Sequence, residues 1–294
     1  MYAAISGLDV NQAMLNDTAN NLANVNTIGF KASSMTFADS LTQITRGASA
    51  PTKNTGGSNP VQVGLGVQVN ATRNEMSEGA FQTSNNPLDI AIEGPGFLRV
   101  GEGEPAAKGP FTSGLPKQVQ FSRAGDLNTN TNGFLTTASG AYVIGRVAVA
   151  TVSESGTSYA PGKEDEFINI PPGSTNIVIG QDGSVSYTDN NPESATFQER
   201  VTAGYITLAT FSNEAGLERV GGSLWASTPN SGNELVGTPA TTGFGSTIGG
   251  VLEQSNVDMA TEMTNMITAE RGYQANSRVI TTADEMLESL VSMH

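Results

Sequence analysis

The chain has 294 residues, room for one large or two modest domains, and its 34 Gly, 6% aromatic and 14% charged residues fit short strands and many turns better than a helical enzyme. A formal charge of −14 argues against nucleic acid and anionic lipid as partners, since both demand Lys and Arg patches, and it favours solubility of a free subunit. With no Cys, disulfides and thiolate metal sites are excluded, and the only His, His294, is the last residue, so the usual general base is missing.

Leu8, Leu15 and Leu22 recur at every seventh residue, with Ile5 and Ala19 on the adjoining seam, and predict an amphipathic helix over residues 3–25. Asn11, Gln12, Asn16, Asp17, Asn20 and Asn21 surround that stripe. Asn and Asp side chains compete for backbone hydrogen bonds, so this helix should gain stability only when its stripe is buried. Gly29 is the expected terminator. Residues 47–60, GASAPTKNTGGSNP, carry no apolar period and read as an extended arm. An alternating run at 65–69 opens a series of short strands, expected at 90–92, 97–100, 119–121, 142–146, 177–179, 185–187, 205–211 and 224–226. Turn chemistry separates them, with Asp182-Gly183 the best hairpin signal. Residues 227–250 are again rich in Gly, Ser, Thr and Pro. They lead into a second helix whose ladder, Met259, Met266, Tyr273, Ile280 and Leu287, repeats the seven-residue step of the first. Ser255-Asn256 is its expected cap, with Asp258 in the first turn, where the helix dipole favours negative charge.

The expected class is α+β: terminal helices pairing as a coiled coil, with a central all-β domain of short strands. The expected division is an N-terminal helix over 1–30, an extended arm over 31–64, the β domain over 65–226, a return arm over 227–254 and a C-terminal helix over 255–294. A seven-residue apolar step on both ends suits a subunit that polymerises through them, although docking on the chain's own β domain is the default for an amphipathic helix. No catalytic, cofactor or metal site is expected. Residues 126–130 imitate the start of a calcium loop, but Thr131 stands where that loop needs Gly and Thr137 where it needs the bidentate Glu, so a polar turn is expected. Gly64-Leu65-Gly66 and Gly94-Pro95-Gly96 lack the third Gly of a dinucleotide fingerprint. Glu164 and Glu166 read as solvated loop carboxylates, Trp225 as core, and Phe244 as an interface anchor. No run approaches the ~18 apolar residues of a membrane span, and the N-terminus does not resemble a cleaved signal peptide. If the protein is exported, another route must carry it.

Residues 19–31, ANNLANVNTIGFK, resemble the N-terminal motif of the bacterial flagellar rod and hook proteins, through Asn20, Asn21, Asn24, Asn26, Thr27, Gly29 and Phe30. Residues 252–258, with Ser255, Asn256 and Val257, and then 271–276, RGYQAN, resemble the paired C-terminal motif. Residues 86–97 and 121–126 are also similar to that family. The matches run along the whole chain in order. Within the family, 47–67 and 208–217 look more like the hook protein, whereas the shortness of the chain keeps the distal rod protein as the alternative. Residues 147–175 are the candidate remnant of the outer β domain that longer hook proteins insert. The resemblance implies a structural subunit of the flagellar hook or basal body, whose terminal helices pair to line a helical tube. It also implies self-association, contacts with rod, hook-cap and hook–filament junction proteins, and an extracellular location. The ladder residues of both helices are then the expected assembly interface. A β-rich adhesin leaves the two ladders unexplained, and a hydrolase with paired carboxylates has no acid pair that the sequence singles out.

Overall fold

The computed structural model describes residues 2–51, 56–103, 118–153, 156–190 and 197–293. These form two compact units, one within residues 1–25, 32–75 and 257–294, the other within 26–31 and 76–256. A helix at each end and a large β domain between them make up the chain.

The first unit holds α1, Tyr2–Ala23, and α2, Met259–Ser292. α1 closes earlier than expected and without Gly: the Asn24 amide N–H donates to Asn20 O and Asn21 O, and its side chain also donates to Asn20 O. Gly29 is not the helix terminator. It has φ +65° and its α-carbon faces the backbone of Ala124, where a Cβ would lie 2.5 Å from the Ala124 nitrogen. At the other end Asp258, not Ser255-Asn256, caps α2, its carboxylate accepting from the amides of Ala260 and Thr261. The Asn256 side chain is otherwise engaged, donating to Ser77 O and Oγ. Two hairpin-like pairs accompany the helices. Ser33–Asp39 runs antiparallel to Val67–Asn74 with a bulge at Thr36/Phe37, and Thr42–Arg46 pairs with Val61–Gly64. Within 31–64, expected as an arm, three strands therefore form.

The second unit is an antiparallel β structure. Its main sheet runs in the order Thr175–Ile179, Ser184–Thr188, Arg200–Ile206, Tyr142–Ser153, Phe97–Gly101, Val119–Ser122, Leu224–Ala226 and Glu218–Gly221. Asp182-Gly183 makes the turn between the first two of these, with Gly183 at φ +76°. One core gathers Ile90, Ile92, Leu98, Val100, Leu127, Leu135, Val143, Val185, Ile206 and Leu208. A second, aromatic core holds Phe97, Phe121, Phe211, Leu217 and Trp225, with the Phe121 and Phe211 rings edge-to-face at 4.8 Å.

Several local expectations change here. Residues 227–250 contain two strands: Leu235–Gly237 pairs with Leu208–Thr210, and Ser246–Gly249 pairs with Ile90–Glu93. Such short, Gly- and Ser-containing strands have little propensity of their own and form because buried partners offer them a ladder. Phe244 is half-buried against the first core and so packs inside its own chain. Glu164 and Glu166 lie in the strand Gly156–Phe167, which pairs with Tyr142–Ser153 across residues 144–167, and not in a loop. Residues 127–137 form a hairpin in which Asn130 Oδ1 accepts from the amides of Asn132 and Phe134.

Candidate assembly surface

α1 and α2 pack side by side and antiparallel, and the residues that fix their register are Gly, Asn and Glu. A Cβ on Gly7 would lie 2.5 Å from Asn276 Nδ2, and one on Gly272 would lie 2.6 Å from Asn11 Oδ1. The two pairs are reciprocal, Gly against Asn and Asn against Gly, one helical turn apart. Asn11 Nδ2 also donates to Gly7 O at 2.6 Å, which holds the side chain along its own helix. Further along, Asn21 Nδ2 donates to Glu262 Oε1 at 3.1 Å in the same register. Close approach through glycine, with polar side chains engaged across the seam, specifies one alignment at the expense of apolar burial.

The contacting stripe is therefore not the Leu ladder. Ala4, Gly7, Val10, Thr18 and Asn21 are buried, whereas Leu8, Leu15 and Leu22 are half-buried and Ile5 and Ala19 exposed. On α2 only Ala269 is fully buried among the described residues; Met266 and Ile280 are half-buried, and Met259, Tyr273 and Leu287 are exposed. Met263, Ile267 and Val279 are exposed as well. Two helices paired through small residues thus leave their large apolar side chains uncovered or half-covered. A helix that keeps its Met, Leu and Ile in water has not found all of its packing partners.

The family-motif residues have distinct tasks. Asn21 is buried, and its amide both donates to Ser33 O at 2.7 Å and accepts from Ser33 N at 3.0 Å, so it docks the first strand on α1. Ser33 Oγ donates to Asp17 at 2.5 Å. Asn20 is exposed and Asn24 caps the helix, as above. In the second unit, Asn26 is exposed and Thr27 half-buried in the segment before Gly29, whose N–H donates to Glu253 O at 2.9 Å. Asn256 N donates to Phe30 O, so the two chain ends run together here. Ser255 and Val257 are half-buried.

Beneath this crossing lies a buried charge cluster that sequence reasoning did not assign. Lys31 Nζ donates to Glu253 Oε1 at 2.5 Å and to Ser77 O at 2.7 Å, with both charged side chains fully buried. Glu253 also accepts from Gly79 N at 3.0 Å, and its second oxygen faces Arg123 Nη1 at 3.4 Å. Arg123 in turn donates to Ile92 O and Gly94 O and lies over the Phe97 ring. Burial pushes the Lys31 ammonium down from its ordinary value, with the Glu253 carboxylate opposing that shift. Beside it, the Arg219 guanidinium is stacked between Phe30 and Trp225, 4.7 and 4.9 Å from the ring centroids, and donates to Lys31 O. The signal available was the isolation of each charge: Lys31, Arg123 and Glu253 are each flanked by apolar, small or amide residues. A charge in such a setting needs a dedicated partner if it is buried.

Three family models match the chain. The basal-body rod protein model covers residues 1–31, the D1 domain model of flagellar hook protein FlgE/F/G covers 91–187, and the C-terminal model of the basal-body rod FlgEFG proteins covers 248–293. The flagellar basal-body rod protein FlgG of Bacillus subtilis is 35% identical over the whole chain and 98% of the relative. Its namesake in Agrobacterium fabrum is 37% identical over 98% of the chain and 96% of the relative. The flagellar hook protein FlgE of Borreliella burgdorferi is 26% identical in an alignment of 436 residues, covering the whole chain and 99% of the relative.

Proposed function

Because this chain belongs to the flagellar basal-body rod and hook protein family, structural proteins and not enzymes, we propose that it is the distal rod subunit of the flagellar basal body. One observation carries the choice of rod over hook. The relatives named as rod proteins align over 294 and 291 residues, about the length of the chain itself, whereas the alignment with the hook relative runs to 436. The hook reading rests on the hook-like stretches 47–67 and 208–217 and on that more distant relative, and it stands second.

In this reading α1 and α2 pair as a coiled coil and form the inner layer of a helical tube. The pairing leaves the ladders uncovered or half-covered, and in this reading Ile5, Leu8, Leu15, Ala19, Leu22, Met259, Met266, Tyr273, Ile280 and Leu287 meet neighbouring copies. A contact of this heterologous kind does not close and propagates as a filament. The partners are other copies of the chain, further rod proteins and the hook. Hook-cap and hook–filament junction proteins become neighbours in the second reading. In this reading the subunit is exported and works in the extracellular part of the flagellum.

Electron microscopy of the purified full chain tests this. Straight tubes are expected, and curved tubes would support the hook reading. Failure to form any tube, with the β unit folded, would overturn both.

A further inference from the structure

The antiparallel register has a consequence at the far end of α2. Gly7 opposite Asn276, Asn11 opposite Gly272 and Asn21 opposite Glu262 share one alignment. Carried to Tyr2, where α1 starts, that alignment reaches Thr281. Residues 282–292 of α2 therefore run on past α1.

This overhang changes character where α1 stops. The seam spacing of three and four, through Ala269, Gly272 and Asn276, continues through Ala283, Leu287 and Leu290, so the bare face is the one that α1 covers elsewhere. It is no longer small or polar. Met286, Leu287, Leu290 and Val291 are 63%, 51%, 65% and 77% exposed, far more than a helix leaves to water for no partner. On its other side stand Asp284, Glu285 and Glu288, like charges within one turn of each other that do not help the helix by themselves.

The counter-charges lie elsewhere on the same helix. Arg271 and Arg278 are exposed, stand two turns apart and make no ion pair among the described residues. No residue three or four positions from either is acidic. Acids gathered on the overhang and cations gathered in the paired part cannot meet within one straight helix. They can meet between two copies.

Building on the assembly reading above, we propose that residues 282–292 are a docking helix for a second copy of this chain. Met286, Leu287, Leu290 and Val291 cover the neighbour's helix pair, and Asp284, Glu285 and Glu288 face the neighbour's Arg271 and Arg278. Opposite charge then fixes which part of the neighbour is used, and the apolar face supplies the burial.

Two full-length variants test the proposal: D284K/E285K/E288K and R271E/R278E, each checked by circular dichroism for an unchanged β signal. The substituted side chains are exposed, so both should fold. Sedimentation should show the critical concentration for polymer rising about tenfold or more for each variant alone. An equimolar mixture should restore it to within about threefold of the parent chain, because each variant's overhang then finds complementary charge on the other. Unchanged assembly of both single variants overturns the inference and leaves the assembly reading standing. Loss in both without rescue by mixing also overturns it. A parent chain that forms no polymer overturns the assembly reading and this inference together.

Discussion

Glu253 is the residue on which most depends. It takes a hydrogen bond from Lys31 and one from Gly79, faces Arg123, and its own carbonyl accepts from Gly29, so one side chain and its backbone join the N-terminal motif to the strand Val251–Glu253. Replacing it by Gln keeps the size and removes the charge, leaving two buried cations facing a neutral amide. Breaking a buried pair in this way costs about 3–5 kcal/mol, because the remaining charge stays desolvated. The Glu253→Gln chain should therefore show a lower urea midpoint of the β unit at unchanged slope. A smaller loss in Lys31→Met/Glu253→Leu would confirm that the uncompensated charge is responsible. Equal losses in both would point to packing instead.

Among the elements, the helix pair is held by a seam that titrates. Burial holds the Glu262 carboxyl above its ordinary 4.5, while its hydrogen bond from Asn21 pulls the other way. A carboxyl whose folded pKa is raised binds its proton more readily in the fold than in the unfolded chain. Its contribution is therefore favourable in acid and is lost as pH rises from about 4.5 through the folded value. Glu262→Gln keeps an oxygen for Asn21 and removes the ionisation. The variant should hold the helix pair more firmly than the parent at pH 7, and helical ellipticity on heating should differ less between pH 4 and pH 7. Asp258 works in the opposite sense: hydrogen bonds from Thr261 and the Ala260 amide hold its carboxyl below 3.8, so the cap is lost only as pH falls through that lower folded value. Parent and Glu262→Gln chains with the same pH dependence would show that Glu262 does not load the seam.

At the scale of the whole molecule, the boundary between helix and β unit lies inside the N-terminal motif. Residues 1–25 belong with α2, whereas 26–31 belong with the β unit and carry Gly29, Phe30 and Lys31 into it. Two truncations six residues apart should behave differently. Removing 1–25 should abolish polymer while leaving the thermal transition of the β unit nearly unchanged. Removing 1–31 should also lower that transition by several degrees, since Glu253 loses Lys31 and Arg219 loses Phe30 and Lys31 O. Normal polymer from the shorter truncation would exclude α1 from the assembly scaffold. Indistinguishable transitions would mean that the buried pair contributes nothing to the fold.

The sequence by itself determined the layout of helix, β domain and helix and most of the short core strands, among them those at 90–93, 97–101, 119–122, 184–188 and 224–226. Period, turn residues and composition are local quantities and can be read from neighbours in the chain. The motifs also placed Asn21, Gly29, Phe30 and Asn256 among the residues that matter. Only the tertiary structure decided what they do. The closest approach of the two helices lies at Gly7, Asn11 and Asn21, because backbones approach closest where side chains are small, and hydrophobicity alone points to the Leu ladder beside it. Gly29 is needed against Ala124, and Glu253 against Lys31, both residues far away in sequence. Short strands such as Ser246–Gly249 exist only because Ile90–Glu93 is there to pair with them. Contacts between distant segments leave no period in a chain, so burial and pairing had to be seen in the folded molecule.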